Sequence, residues 1–147
     1  MRIINKKALY NYEILERFET GIVLTGSEVK AIKDSRCNIG DAFVKIISNE
    51  LWVVNMDIPK YKYDGSSDYD SARSRKLLVK KKELTYLESK MKQGNLTLVP
   101  LSVYSKGRNI KVEVGLARGK KRYEKKQQEK ERDLDRELLL EKRKYMI

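Results

Sequence analysis

The sequence predicts a mostly β fold (β+α): a small OB-like antiparallel Greek-key barrel with two or three flanking helices and a C-terminal basic tail. Three observations carry that expectation. About six short segments alternate apolar and polar residues, the period of a sheet with one buried face. Turn-forming residues separate several of them at hairpin spacing. From Lys120 onward the composition changes to dense mixed charge without Gly or Pro.

In chain order, Tyr12–Phe18 and Gly21–Gly26 read as strands about a tight connection at Glu19-Thr20-Gly21. "TGSEVKAIKDS" follows as a helix, with Thr25 and Glu28 at capping-box spacing and Val29 and Ile32 on one side. In "DAFVKIISNELWVVNMDIP", Ala42, Val44 and Ile46 alternate, Ser48-Asn49-Glu50 turns, and Leu51–Val54 returns with Trp52 as an aromatic anchor. Pro59 has no N–H to give to a ladder and closes that strand. "KYDGSSDYDSARSRK" is polar and Gly/Ser-bearing, a surface loop. "KKKELTYLESKMKQG" is a second helix, with Leu84, Leu87 and Met91 on one face and Gly94 at its stop. The last hairpin joins "LTLVPLSVYS" to "NIKVEVGLA" through Lys106-Gly107-Arg108; Ile110, Val112 and Val114 face one way, Lys111 and Glu113 the other. Residues 1–118 thus read as one barrel domain and 119–147 as a tail.

Charge and absent residue types bound the function. With 33 Lys+Arg against 21 Asp+Glu the net charge is +12, which favours a polyanionic partner. No apolar run approaches the roughly 20 residues that cross a bilayer, and the N-terminus is too charged for a signal peptide. There is no histidine, and Cys37 is the only cysteine. Imidazole triads and dyads, an intrachain disulfide and the common zinc sites are therefore excluded. The carboxylates are scattered among Lys and Arg, and no Gly-rich phosphate loop occurs. The expectation is a monomeric, cytoplasmic binding protein with no cofactor, no metal, no membrane contact and no catalysis.

In the tail, opposite charges at i, i+3 (Lys126/Glu129, Lys130/Asp133) are offset by like charges at i, i+4 (Lys126/Lys130, Glu129/Asp133). With apolar residues appearing only late, from Leu134 and Leu138, the tail is expected to be disordered alone and helical on a partner.

Several blocks carry a resemblance in a fixed order: "NKKALYNYEI", "ETGIVLTGSEVKAIKDSRCNIGDAF", "SRKLLVKKKEL" and "TLVPLSVYSKGRNIKVEVGLARGKKRYEKK". Across nearly the whole chain the sequence resembles small protein B, the SsrA-binding protein family of bacterial trans-translation. The resemblance implies an OB-like barrel that binds the tRNA-like domain of transfer-messenger RNA and delivers it to ribosomes stalled without a stop codon. It implies a tail that enters the empty messenger channel at the decoding centre and folds there. It also implies elongation factor Tu as a partner, through the aminoacylated RNA complex.

The resemblance assigns RNA contacts to Tyr12, Glu19, Lys33 and Phe43, and Glu28, Lys30 and Asn38 are typical of the family. Each also has a plain structural reading: strand aromatics for Tyr12 and Phe43, a turn carboxylate for Glu19, a helix cap for Glu28, a turn for Asn38. Flat rings suit unstacked bases, and Glu19 suits base amino groups or the orienting of a neighbouring cation. Arg73, Arg75, Lys76 and Lys80 form a cation run beside an apolar pair that suits phosphate contacts, although such a run is often only a solvated face. Leu78 reads as core, although the resemblance allows it a place at the RNA surface. Lys80 stands where the family often has His or Asn. Arg118, Lys120 and Lys121 would neutralise phosphates at the end of the last strand. Tyr123, Glu124, Lys125 and Lys126 occupy the family's aromatic-Asp-Lys-Arg motif for the decoding centre, with Glu for Asp and Lys for Arg. The rival readings are a ribosomal or ribosome-assembly RNA-binding protein and a carboxylate-dependent RNA-processing enzyme.

Overall fold

Alternation along the strands, with neighbours in register, gathers one large apolar set inside and lets the sheet close on itself, while a smaller set of Val99, Leu101 and Ala117 packs separately with Ala8. The computed structural model describes residues 1–65, 68–120 and 122–145, without the side chains of 122–124 and 137–145. The elements are β1 (Arg2–Ile4), α1 (Lys6–Asn11), β2 (Tyr12–Ile22), α2 (Gly26–Lys33), β3 (Phe43–Ile47), β4 (Glu50–Val54), β5 (Arg75–Leu78), α3 (Lys81–Lys92), β6 (Thr97–Lys106), β7 (Asn109–Gly119) and α4 (Arg122–Tyr145). Strands β6, β3, β4, β5, β2 and β7 form an all-antiparallel ring that returns to β6, and β1 adds to β6. Closure consumes the strand edges that would otherwise invite foreign pairing. Inside sit Val44, Leu51, Val53, Leu77, Leu98, Val103, Val112 and Val114, with Ile32 and Leu87 contributed by α2 and α3.

The hairpins form where the alternation places them. Ser48 and Asn49 both take left-handed φ values, 51° and 61°, which matches a two-residue turn whose twist suits the flanking strands. Gly107 opens the β6–β7 turn at φ +62°, a conformation that a Cβ would strain.

Four local readings change. Residues 12–22 form one strand, not two. β7 pairs with β2 from Tyr12↔Gly119 through Gly21↔Lys111, so Glu19-Thr20-Gly21 stays extended. Thr20 is buried and its Oγ1 donates to the Val112 carbonyl at 2.9 Å. Trp52 is not the core anchor: Leu51 and Val53 face inward, and Trp52 sits half-buried on the other side. The β4 strand ends at left-handed Asn55 (φ 62°) before Pro59 is reached. Finally, β1, α1 and β5 are additional elements. Asn5 starts α1 by accepting from the Ala8 amide at 3.0 Å, and its Nδ2 donates to Pro100 and Ile39 carbonyls at 2.8 and 3.0 Å. It thereby ties the N-terminus to the bulge between Pro100 and Ser102 in β6.

The β5 strand contains the largest departure from the expected cation run. Arg75 is fully buried, and its five N–H donors all meet oxygens. Nε donates to Glu28 at 2.6 Å, Nη1 to the Met56 and Arg73 carbonyls at 2.6 and 3.0 Å, and Nη2 to Tyr69 and the Ser71 carbonyl at 3.3 and 3.0 Å. Glu28 is equally buried. It completes the capping box with Thr25, and it also accepts from Arg73 and from Tyr69. Burial opposes its ionisation, but the bonds from Arg73, the Thr25 amide and Arg75 outweigh that and hold its carboxyl below the usual carboxylate range.

Residues 122–145, expected to be disordered alone, form one helix here. It begins against α1: Lys120 Nζ donates to the Leu9 carbonyl at 3.1 Å and to Gln128 at 2.5 Å, and the Tyr10 hydroxyl donates to Glu129.

Glu28→Ala leaves a buried guanidinium without its counter-charge and is expected to cost about 3–5 kcal/mol in urea unfolding. In the wild type, the lowered Glu28 carboxyl means that the unfolded chain takes up the proton first as pH falls. The stability that the group contributes is therefore complete above pH 4.5, its ordinary value, and is lost below it. Urea midpoints measured from pH 7 to pH 3 should fall less steeply in Glu28→Gln than in the wild type.

Candidate nucleic-acid interface

Register, more than sequence proximity, assembles the most distinctive surface. Paired residues across five strands share one outward face: Arg2↔Tyr104, Tyr104↔Lys111, Lys111↔Gly21 and Gly21↔Leu78. The adjacent inward row is Ile3, Val103, Val112 and Thr20, so the alternation assigns the two faces without ambiguity. Gly21 has a packing reason to lack a side chain, since a Cβ there would lie 3.2 Å from Leu78 Cβ. Leu78 leans across it and remains 52% exposed. Beside this row, Gly21, Leu78, Arg108 and Lys111 help to line a hollow of about 280 Å³.

Glu19 stands on the same face of β2, two residues before Gly21. Tyr104 donates to one of its oxygens and Lys106 Nζ to the other, the latter at 3.1 Å. The Tyr104 hydrogen bond first, then that from Lys106, holds the Glu19 carboxyl below its ordinary range. Burial, with the Glu19 bond, pushes the Tyr104 phenol up to about 12. Arg2 stacks over the Tyr104 ring at 4.4 Å from its centroid. Glu19 therefore acts as an ionised clamp: it fixes a ring and Lys106 in place while Arg2 and Lys111 leave the surroundings cationic. Such a face offers phosphate contacts around an apolar and aromatic floor.

The other expected residues fall into separate groups. Tyr12 and Phe43 line one groove of about 230 Å³ between α1 and β3, with Lys7 and Asp41 paired at 2.6 Å on its lining. Phe43 is 37% exposed, with Lys45 Nζ 5.0 Å from its ring centroid. Asn38 accepts from the Gly40 amide at 2.9 Å and shapes the turn before that groove. Lys30 and Lys33 are exposed on α2, and Lys80 is exposed at the start of α3. Lys76 pairs with Glu50 at 3.2 Å. Glu28 and Arg75 lie inside, as an internal ion pair and not at the surface. Arg118 pairs with Glu13, and Lys120 joins α1 to α4. Lys121 lies outside the described residues, as do the side chains of Tyr123 and Glu124. Lys125 is placed 5.8 Å from the Tyr10 ring centroid, and Lys126 is exposed.

Sequence reasoning missed Arg2, Tyr104, Lys106 and Lys111 as members of this face. The outward position of Lys111 was visible in its alternation, but its neighbours were not. Burial pushes the Cys37 thiol up to about 12, away from its thiolate form. No helix among the described residues is long and apolar enough to cross a membrane.

Fold and face together define a class: a small OB-like antiparallel barrel carrying a cationic, aromatic sheet surface and a charged helical extension. A family model described as "SmpB protein" matches residues 2–144. The chain belongs to the SmpB family. It is 49% identical over 134 residues to the SsrA-binding protein of Sulfurihydrogenibium sp. (strain YO3AOP1), covering 91% of this chain and 88% of that one. It is 43% identical over 137 residues to the SsrA-binding protein of Mycolicibacterium gilvum (strain PYR-GCK), covering 93% and 83%. A solved structure described as "tmRNA-SmpB: a journey to the center of the bacterial ribosome" contains a chain that matches with TM-score 0.68 and 41% identity, covering 82% of this chain and 85% of that one.

Tyr104→Phe removes the leading cause of the low Glu19 carboxyl value. A carboxyl-carbon NMR titration should show Glu19 titrating at higher pH in that variant than in the wild type.

Proposed function

We propose that this protein binds the tRNA-like domain of transfer-messenger RNA and brings that RNA to stalled ribosomes. The observation that carries the reading is family membership over residues 2–144, together with relatives named as SsrA-binding proteins. The net charge of +12 and the outward row from Arg2 to Leu78 support it, because they supply a cationic surface with one ring, Tyr104, and an apolar floor.

The task is recognition and positioning, without covalent chemistry. Arg2 and Lys111 neutralise phosphates, and Tyr104 and Leu78 contact sugars or an unstacked base. Glu19 keeps Tyr104 and Lys106 in the bound arrangement before RNA arrives, which lowers the ordering cost of binding. The groove of Tyr12 and Phe43 gives a second aromatic contact.

In this reading the tail is the sensor. Its helix is about 36 Å long, enough to carry its C-terminal half well away from the barrel, while Lys125 and Lys126 lie in its first turns, Lys125 beside Tyr10. It enters the messenger channel only where messenger is absent, and peptidyl transfer is left to the ribosome. Elongation factor Tu joins through the aminoacylated RNA complex.

Lys111→Glu should weaken binding to the isolated tRNA-like domain by about tenfold or more while leaving the thermal midpoint within a few degrees, because the side chain points outward. Competition with bulk tRNA and ribosomal RNA tests selectivity; equal affinity for all three would instead favour a general ribosomal RNA-binding protein. Truncation after Gly119 should preserve most RNA affinity and abolish peptide tagging on stalled ribosomes. Joint loss of both would make the tail part of the RNA-binding domain.

A further inference from the structure

The loop after β4 is polar in sequence, yet it displays two rings that the core does not use. Its ends are stapled. The Ile58 amide donates to the Ser71 carbonyl at 3.0 Å, and Tyr69 donates to the Ile58 carbonyl at 2.6 Å while also bonding Glu28 and Arg75. The loop therefore rises from the internal Glu28–Arg75 cluster on a fixed neck. Within it the Asp64 amide donates to the Tyr61 carbonyl at 2.9 Å, closing a turn.

That turn holds Tyr61 and Tyr63 edge to face, with centroids 5.4 Å apart and planes at 70°. A lysine covers each ring: Lys30, from α2, lies 5.6 Å from the Tyr61 centroid, and Lys62 lies 4.8 Å from that of Tyr63. Tyr63 is nevertheless 74% exposed, the most exposed of the large apolar side chains identified as surface-lying. A ring that buries so little adds little to folding. It is held by a neighbouring ring and flanked by cations, which is the composition of a stacking platform for unpaired nucleotides. Asp64, Asp68 and Asp70 share the loop with Lys60 and Lys62; the Asp70 carboxylate is turned to the Ala72 amide, from which it accepts at 3.0 Å beyond the neck.

We propose that Tyr61 and Tyr63, with Lys30 and Lys62, form a further nucleic-acid contact that stacks an unpaired RNA nucleotide and neutralises its phosphates. It rests on the reading of the protein as an RNA binder but is separate from the Arg2–Leu78 row. A base lies on the open face of Tyr63, the Tyr61 edge supports it, and the two lysines approach the flanking backbone. Cations beside both rings favour a polyanion over an apolar protein surface.

The experiment uses the full chain and a fluorescein-labelled oligoadenylate of about ten nucleotides, followed by anisotropy in ~0.15 M salt. Tyr63→Ala should weaken binding by about tenfold, Tyr63→Phe should keep wild-type affinity, and Lys62→Ala should reduce the salt dependence. Unchanged affinity in Tyr63→Ala, or equal loss in Tyr63→Phe, would overturn the platform. Titration of the isolated tRNA-like domain with the same variants identifies the source of the nucleotide. Loss there as well places it in that RNA, whereas loss with oligoadenylate alone places it in another single strand. Lys111→Glu is measured beside them, so failure of the row and failure of the platform read out separately.

Discussion

A buried ion pair holds this architecture in register. Arg75 reaches Glu28 on α2, the Met56 carbonyl after β4, and the Arg73 and Ser71 carbonyls before its own strand. One guanidinium thus fixes the positions of a helix, a strand end and a loop neck. A charge in an interior is costly, and the cost is offset only because each donor has an oxygen and Glu28 has further donors of its own. An apolar residue of similar size would fill the volume but leave those carbonyls without partners. The short strand β5 depends on this arrangement, and β5 brings Leu78 alongside Gly21.

From that placement the outward surface follows. Leu78 extends the row only because Gly21 has no side chain to hold it off, and β7 sets Lys111 opposite the same glycine. Glu19 then determines how the row is charged. In a basic protein an acid on the binding face would repel phosphate, but here both of its oxygens are engaged by Tyr104 and Lys106. Its negative charge is spent on orientation, and the surrounding cations remain available to a polyanion.

Much of the barrel was legible because alternation has a period of two wherever one face is wet. Ile110, Val112 and Val114 against Lys111 and Glu113 gave the polarity of β7 directly, and Thr25 with Glu28 gave the cap of α2. Gly21 was misleading. A glycine between two apolar runs looks locally like a turn, and only the long β7 partner keeps it extended. Arg75 was misleading for a related reason, since a cation among cations reads as solvated until its oxygen partners are counted. The three-residue β1 was too short to show a period, so Arg2 and the row it begins were invisible. The Tyr61–Tyr63 pair was hidden inside a stretch whose composition says only loop.

The central claim is that the row from Arg2 to Leu78 is the surface on which the tRNA-like RNA rests. Amide NMR shift mapping of the full chain, titrated with the isolated tRNA-like domain, tests it most directly. The expected result is a contiguous set of perturbations at Arg2, Tyr104, Lys111, Gly21 and Leu78, with the β3–β4 turn at Ser48 and Asn49 unaffected. Perturbations confined to that turn and α3, with the row unchanged at saturating RNA, would contradict it.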